Sequence, residues 1–186
     1  MLVPAITHKE TIEREFKKIQ YTDKYLWYTG SIDNYDLEVK TEGDKFAFAI
    51  ISPMNELVGY VSFRVDWYCS MAYNFSLIKF KDKIADEVKN KFSVNRPIGG
   101  WYIDTKLIIA SAILEVMRMV ESFNLHRIDF RCVSGNPAEQ KYDKIVDKIV
   151  DKGVYECYVP TFIDNIRDRQ GNYHDTIVYE LIRREE

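Results

Sequence analysis

Hydrophobic positions recur along this chain with two periods, and the clearest examples of both lie in its second half. From Lys106 to Ser122 the apolar residues Leu107, Ala110, Ile113, Leu114, Met117 and Val120 return every three or four positions, which lines them along one face of an α-helix. Only Ser111, Glu115, Arg118 and Ser122 form a polar stripe, so this helix is expected to lie mostly buried against a sheet. In LHRIDFRCV, which follows, Ile128, Phe130 and Cys132 alternate with Arg127, Asp129 and Arg131, the period of a strand with one face in the core. Asn136-Pro137-Ala138-Glu139 then supplies an N-cap, a proline at the first helical position and a glutamate at the third, the chemistry of a helix start. Gly153 ends that helix. Within it the tetrads DKIV, DKIV and DKGV place Tyr142, Ile145, Val146, Ile149 and Val150 on one face and Asp and Lys on the other, the pattern of an amphipathic surface helix.

The last stretch, VYECYVPTFI, a turn around RDRQGNY, and DTIVYELIR, predicts a hairpin that buries Ile177, Tyr179 and Leu181. In the first half, Thr7-His8-Lys9-Glu10 has the form of a capping box, predicting a helix over TIEREFKKIQ after a short strand in Leu2 to Ile6. FAFAII, the turn PMNE, and Leu57 to Val65 predict two antiparallel strands, and YNFSLIKF a third that continues the meander. KDKIADEVKNKF, with Ile84, Val88 and Phe92 at helical spacing on a charged background, predicts a short surface helix, and IGGWYID a strand. Between Thr22 and Thr41 the signals are mixed around a short helical pattern in DKYLWY.

Composition narrows the picture. At 186 residues with 46% hydrophobic and 14% aromatic content, the chain has the material for one domain spanning residues 1–186. A formal charge of −3, with Lys and Arg dispersed along the chain, lacks the basic stripe of a nucleic-acid binder. Cys69, Cys132 and Cys157 stand apart with no C-x-x-C, and their apolar neighbourhoods predict buried thiols in a reducing compartment. No basic-then-apolar leader opens the chain, and LIIASAIL is too short to span a bilayer. The expectation is a soluble, cytoplasmic protein with neither a nucleic-acid nor a membrane partner. His8, His126 and His174 have no metal-ligand spacing, and neither a G-x-S-x-G elbow nor a Walker loop is present; no metal is expected.

In chain order these elements are a meander followed by strand, helix, strand, helix and hairpin. That order predicts an α/β (α+β) domain: a mixed, mostly antiparallel sheet with one central parallel βαβ pair, IGGWYID beside LHRIDFRCV, and helices on both faces. A βαβ unit brings the ends of both strands and the starts of both helices to one edge. Helix starts present unsatisfied amides at the positive end of a dipole, so those near Thr105 and Asn136 are candidate holders of a phosphate-bearing cofactor.

From IGGWYID onward the chain resembles the GNAT superfamily of N-acetyltransferases, in particular the branch that includes the ribosomal-protein acetyltransferases. The residues that carry the resemblance are Gly100-Trp101-Tyr102-Ile103, Leu125-His126-Arg127-Ile128, Asn136, Tyr142-Asp143-Lys144, and Asp175 with Tyr179 and Leu181. The first half is similar by element order, with an insertion expected over about 69–97. The resemblance implies a GNAT-like fold and acetyl transfer from acetyl-CoA to an amine, on a small molecule or a protein. It implies that the pyrophosphate loop falls on Asp104 to Ile108, with the amides of Thr105, Lys106, Leu107 and Ile108 at the phosphates. Strand amides near Tyr102 and Ile103 would take the thioester carbonyl and the pantetheine arm, Asn136 would bond the cofactor, and Tyr142 would be the acid. The sequence departs from the family in two places. The usual loop, Q/R-x-x-G-x-G/A, has no glycine counterpart here, whereas an alignment with YNFSLIKF as the preceding strand moves the loop to Arg96–Trp101, keeping the Arg and first Gly but ending in Trp. Tyr142 also follows Asn136 one residue sooner than is usual, on a longer helix.

Acetyl transfer needs a phosphate site, a donor to the thioester carbonyl, a route that keeps the amine neutral and an acid for the leaving thiolate. Asp66 and Glu56, at strand ends, are candidate bases. Each residue also has a plain structural reading: Asn136 as an N-cap only, Tyr142 as a core ring, and Trp67, Tyr68 and Tyr73 as packing aromatics instead of a substrate groove. Loss of the loop glycines opens a second function, that of a catalytically inactive GNAT-fold binding or regulatory module. An exposed strand edge could pair two chains into a homodimer.

Overall fold

Alternating side chains commit much of the chain to strands. The computed structural model describes residues 1–19, 39, 43–85 and 102–184. Leu2–Pro4 (β1), Lys45–Ile51 (β2), Leu57–Asp66 (β3) and Met71–Lys79 (β4) pair antiparallel in sequence. Lys83–Ala85 (β5) and Tyr102–Asp104 (β6) form a separate two-stranded ladder. Of the helices, Lys9–Ile19 (α1) precedes β2, and Lys106–Ser122 (α2) leads into Arg127–Val133 (β7). Glu139–Val150 (α3), Tyr155–Tyr158 (β8), Thr161–Arg167 (β9) and Tyr173–Arg183 (β10) complete the chain. The main sheet has eight strands in the order β1-β2-β3-β4-β7-β10-β8, with β9 also on β10. Its one parallel pair is β4 with β7.

The period of two sends the faces of each strand into different clusters. Ala47, Ala49, Tyr60 and Ile78 face α1 and are covered by its Ile12 and Phe16. Val61, Phe63, Ile128 and Phe130 face the other way, against Ala112, Val116 and Val120 of α2 and Val146 and Ile149 of α3. Each valine, isoleucine or phenylalanine among them contributes about 1.5–3 kcal/mol on leaving water. The result is the expected mixed, mostly antiparallel sheet with helices on both faces. Among the described residues no helix is long and apolar enough to cross a membrane.

Several local expectations are corrected. The parallel partner of β7 is YNFSLIKF, not IGGWYID: Met71 pairs with Arg127 and Ala72 with Ile128, while Tyr102, Ile103 and Asp104 pair antiparallel with Ala85, Ile84 and Lys83. The central place goes to β4 because it is the longer element and buries Ala72 on one face and Ile78 on the other. The insertion expected over about 69–97 therefore opens with a core strand. Ile84 does not sit on a helix; it is 2% exposed in β5, opposite Ile103. Val88, Phe92 and DKYLWY lie outside the described residues. The Thr7 hydroxyl does not cap α1 but donates to the Pro4 carbonyl at 2.7 Å, within a 3-10 turn, Ala5–His8, that feeds the helix. Helix α2 has the predicted ends but buries one side only, leaving Leu107 and Leu114 exposed. Of the cysteines, Cys132 is buried, Cys157 is partly buried and Cys69 is exposed.

β4 and β7 pair over two residues each and then part. The cause lies in β4. Asn74 has φ +54, and between Arg64↔Tyr73 and Ser62↔Ser76 the strand carries one residue more than β3. Such a β-bulge bends the strand and ends its pairing. Beyond it β4 stays on β3 as far as Lys79 and β7 stays on β10 as far as Val133, so a wedge opens toward the ends of both strands.

The start of α2 is fixed to the end of β4 by one residue. Thr105 is 0% exposed; its hydroxyl donates to the Lys81 carbonyl at 2.6 Å with the Asp82 carbonyl 3.0 Å away, and its amide donates to Asp82 at 3.1 Å. The excursion from 83 to 104 is thereby closed at its base.

Candidate functional site

The wedge between β4 and β7 is a cleft of about 550 Å³, counting the part open to solvent. Its walls are mainly apolar, with Phe75, Leu77 and Phe130 from the strands and Ile113, Met117 and Ile145 from α2 and α3. The polar residues at its lining are Ser76, Arg131 and Tyr142, of which Arg131 is exposed to solvent. Phe75, Leu77 and Phe130 belong to the sheet face that carries α2 and α3. Ser76 shares its face with Ile78, on the α1 side, and Arg131 alternates with Phe130 on β7. The cleft therefore lies between the α2 and α3 face of the sheet and those helices, over the strand segments where the ladder between β4 and β7 is absent.

Ring contacts hold its aromatic wall. Phe75 meets Phe130 edge-on at 6.3 Å across the wedge, Phe130 stacks on Tyr179 at 4.9 Å, and Tyr142 lies tilted 5.8 Å from Phe130. Contacts of this kind add about 0.5–1.5 kcal/mol each. The Tyr142 ring is thus fixed, yet its hydroxyl bonds to no described residue. No buried side-chain oxygen lacks a partner among the described residues, so the Tyr142 hydroxyl must be open to solvent, and the cleft is where it opens. Burial pushes the phenol up to about 12, and neighbouring Cys132 adds to the shift. At neutral pH it is an uncharged donor.

Behind it, Tyr179 donates to the Asp143 carboxylate at 2.8 Å, tying β10 to α3. Burial, reinforced by the charges of Glu139 and Asp143, raises the Cys132 thiol to about 11, which removes it as a thiolate nucleophile. Burial first, and then the bond to Asp143, hold the Tyr179 phenol above its ordinary value. Above a phenol's ordinary pKa of about 10 the unfolded chain releases a proton that the folded chain keeps, so this stability is present below about pH 10 and is lost as pH rises. We expect urea midpoints to decline from about pH 10 upward and Tyr179→Phe to flatten the decline. Parallel pH curves for the two proteins would show that the phenol makes no such contribution.

The expected site residues fall in different places. Thr105 is held by Lys81 and Asp82 as described. The Lys106 amide donates to Asp104 Oδ1 at 2.9 Å, its ammonium lies 3.5 Å from the same carboxylate, and the amide bond is the main cause of a lowered Asp104 pKa. Leu107 is 80% exposed and Ile108 packs on the core, and neither lines the cleft. Tyr102 and Ile103 stand in the β5–β6 ladder, so the strand edge beside the wedge is that of β4. The Asn136 side-chain oxygen accepts the Ala138 amide at 2.9 Å, and Glu139 accepts the Gly135 amide at 2.9 Å, but these bonds close a turn before the helix: α3 starts at Glu139 with Ala138 at its N-cap and no side-chain cap bond, so Asn136 is not the N-cap that the sequence predicts.

The remaining candidates are engaged elsewhere. Asp66 accepts the Cys69 amide at 2.9 Å in the β3–β4 turn, a bond that lowers its pKa, at the closed end of the wedge. Trp67 and Tyr68 are 57% and 98% exposed in that turn, and the Tyr73 hydroxyl reaches Asp44 at 3.5 Å. Glu56 pairs with Lys81 at 2.6 Å, and His174 with Asp168 at 2.9 Å. No group of His, Cys, Asp and Glu suited to a metal occurs among the described residues. Ser76 and Arg131 were not singled out by the sequence, because on a strand their alternation with apolar residues reads as a solvated face.

No protein-family model matches the chain, and no curated protein matches it in sequence. Solved structures match it in fold. A GNAT-family protein from Chromobacterium violaceum, assigned as an acetyltransferase, superposes with a TM-score of 0.56 at 12% identity over 98% of this chain and 85% of that one. A protein assigned as a phosphinothricin N-acetyltransferase superposes with a TM-score of 0.53 at 12% identity over 100% of this chain and 99% of that one. At such identities the likeness is one of fold.

Proposed function

We propose that this protein transfers an acetyl group from acetyl-CoA to the nitrogen of an amine. The observation that carries the reading is the wedge itself: an apolar cleft over the split strands, lined by a fixed tyrosine whose hydroxyl bonds to no described residue. A thioester arm suits its apolar walls and the strand edges that lack a ladder partner. Acetyl-CoA supplies the activated acetyl group. Residues 75–77 of β4 take over the strand-amide role expected of Tyr102 and Ile103. Tyr142 donates a hydrogen bond where charge gathers on sulfur and yields its proton as the C–S bond breaks, while the nitrogen that forms the new C–N bond releases a proton to solvent, from which the phenol is restored. Lys106 and the amides of Leu107 and Ile108 at the start of α2, with Asn136 at the start of α3, are the groups available to the phosphate end. The outward side chain of Leu107 leaves that approach clear.

One observation favours the second reading, a binding module that has lost this donor. The Asp104 carboxylate already holds the first amide of α2, placing negative charge where phosphates would lie. Isothermal titration with acetyl-CoA, with CoA and a nucleotide as controls, together with thiol release in the presence of an amine panel, separates the two. Saturable acetyl-CoA binding with amine-dependent thiol release is expected. Absence of binding by folded protein would reject the transferase and leave the module.

A further inference from the structure

The cleft has an opening and a floor of different make. Phe75, Leu77, Ile113 and Ile145 line it and are only partly buried. Val61, Val116, Met117 and Phe130 line it too, yet they are 4%, 2%, 8% and 8% exposed. The cleft therefore runs inward from the split strands into the core beneath α2. Sheet and helix each supply both levels: Val61 stands opposite Leu77 in the β3–β4 ladder, and Val116 and Met117 lie one turn beyond Ile113 on α2. Among the described lining residues Tyr142 supplies the polar group on this side of the sheet, since Ser76 shares the opposite face with Ile78 and Arg131 is exposed. Folded cores leave few voids larger than a water molecule. An apolar recess stays dry and takes hydrocarbon.

We propose that the floor of the cleft holds the hydrocarbon chain of an acyl group, so that thioesters with acyl groups longer than acetyl bind in preference to acetyl-CoA. The thioester half of this statement rests on the transferase reading above; the hydrocarbon half rests on the lining alone. The arm of such a donor carries amides, and burying an amide without a partner is unfavourable. Val61, Val116, Met117 and Phe130 offer no side-chain partner, whereas β4 and β7 beyond Ala72 and Ile128 present edges that do not pair with each other. The arm therefore belongs at those edges, and hydrocarbon alone suits what lies inward of them. One acetyl methyl covers little of a floor built from four side chains. Met117 brings an unbranched, adaptable side chain that packs against chains of different length. The chemistry is that of the transferase with a longer chain in place of the methyl: the amine nitrogen forms the C–N bond, the C–S bond breaks, the Tyr142 proton passes to sulfur and the proton from nitrogen to solvent.

The test titrates acetyl-, butyryl-, hexanoyl- and octanoyl-CoA, and the same acyl groups on N-acetylcysteamine, which carries the thioester without the nucleotide, into the wild type, Met117→Phe, Met117→Ala and Ile113→Phe. Wild-type affinity is expected to rise about fourfold for each methylene that the floor covers, so that hexanoyl thioesters bind at least about 10-fold more tightly than acetyl ones. Met117→Phe and Ile113→Phe should flatten that rise, and Met117→Ala should move the best chain to a longer one. Melting temperatures identify the folded variants, and Ile113→Phe, at a partly buried position, keeps the test open if neither change at Met117 is tolerated. A rise in either series that the folded variants alter in these directions supports the proposal. Affinity that is equal at all lengths, that falls with length, that rises identically in the folded variants, or that is absent from both series would each overturn it. Thiol release with the amine panel is assayed separately. Length-dependent binding without amine-dependent thiol release would keep the hydrocarbon site and reject the transferase, whereas transfer from acetyl-CoA with no gain in affinity from a longer chain would do the reverse.

Discussion

Tyr142→Phe is expected to lower the turnover of acetyl transfer by about 100- to 1000-fold, the usual loss when one positioned donor is removed from a site of developing charge. The hydroxyl bonds to no described residue, so its removal breaks no structural hydrogen bond. The ring contacts with Phe130 at 5.8 Å and Tyr179 at 6.2 Å survive the change. Melting temperature and acetyl-CoA affinity should therefore stay near those of the wild type, with the loss confined to kcat. Because burial holds the phenol at about 12, no alkaline limb from this residue should enter the wild-type kcat profile below about pH 11. Steady-state kinetics beside thermal melts decide the matter. A variant with kcat within about threefold of wild type would return Tyr142 to the role of a packing ring.

Gly59→Ala is expected to cost about 3 kcal/mol of stability, the upper end of what an overpacked core position costs, and roughly 6–12 °C in Tm. A Cβ at this position would stand 2.6 Å from the Ile78 carbonyl oxygen and 3.2 Å from Ile109 Cδ1. The first of these atoms is backbone of the neighbouring strand and cannot rotate away. Relief requires β3 and β4 to separate where Gly59 pairs with Lys79, just before the strand reaches the residues that hold Thr105. Loss of stability should thus be accompanied by weakened ligand binding in the cleft, measurable by denaturation and titration of the same preparation. An alanine variant as stable as the wild type would mean that the two strands can part there without penalty.

The elements legible in the sequence were those in which one periodicity had no rival. Lys106–Ser122 emerges with the predicted ends because its apolar residues repeat every three to four positions without interruption. β7 and β10 emerge because their alternation is regular, and the Asn136 turn because local chemistry alone decides it, although the helix it was expected to cap starts only at Glu139. What failed depended on long-range pairing. Ile84 has helical spacing to its neighbours, yet it lies in a strand paired with Tyr102–Asp104, far along the chain, and is buried in the core beneath the sheet. The pairing of β4 with β7 turns on a bulge at Asn74 that shifts register by one residue, and no local pattern reports such a slip. The same slip creates the cleft, so the catalytic candidate on a helix, Tyr142, was within reach of sequence reasoning whereas Ser76 and Arg131 were not. Reading α2 as mostly buried erred for a related reason: a sheet covers one side of a helix, and the apolar residues Leu107 and Leu114 fall outside that side.

The clasp formed by Thr105 on Lys81 and Asp82 bears on how a scaffold of this kind can diversify. Since the Thr105 bonds join the two ends of the 83–104 segment whatever its length, each doubling of that length adds only about 0.6 kcal/mol of closure entropy, while buried Ile84 ties the segment to the core. Lineages descending from this chain are thus free to vary the length of that segment at small entropic cost, provided that the clasp and Ile84 are kept.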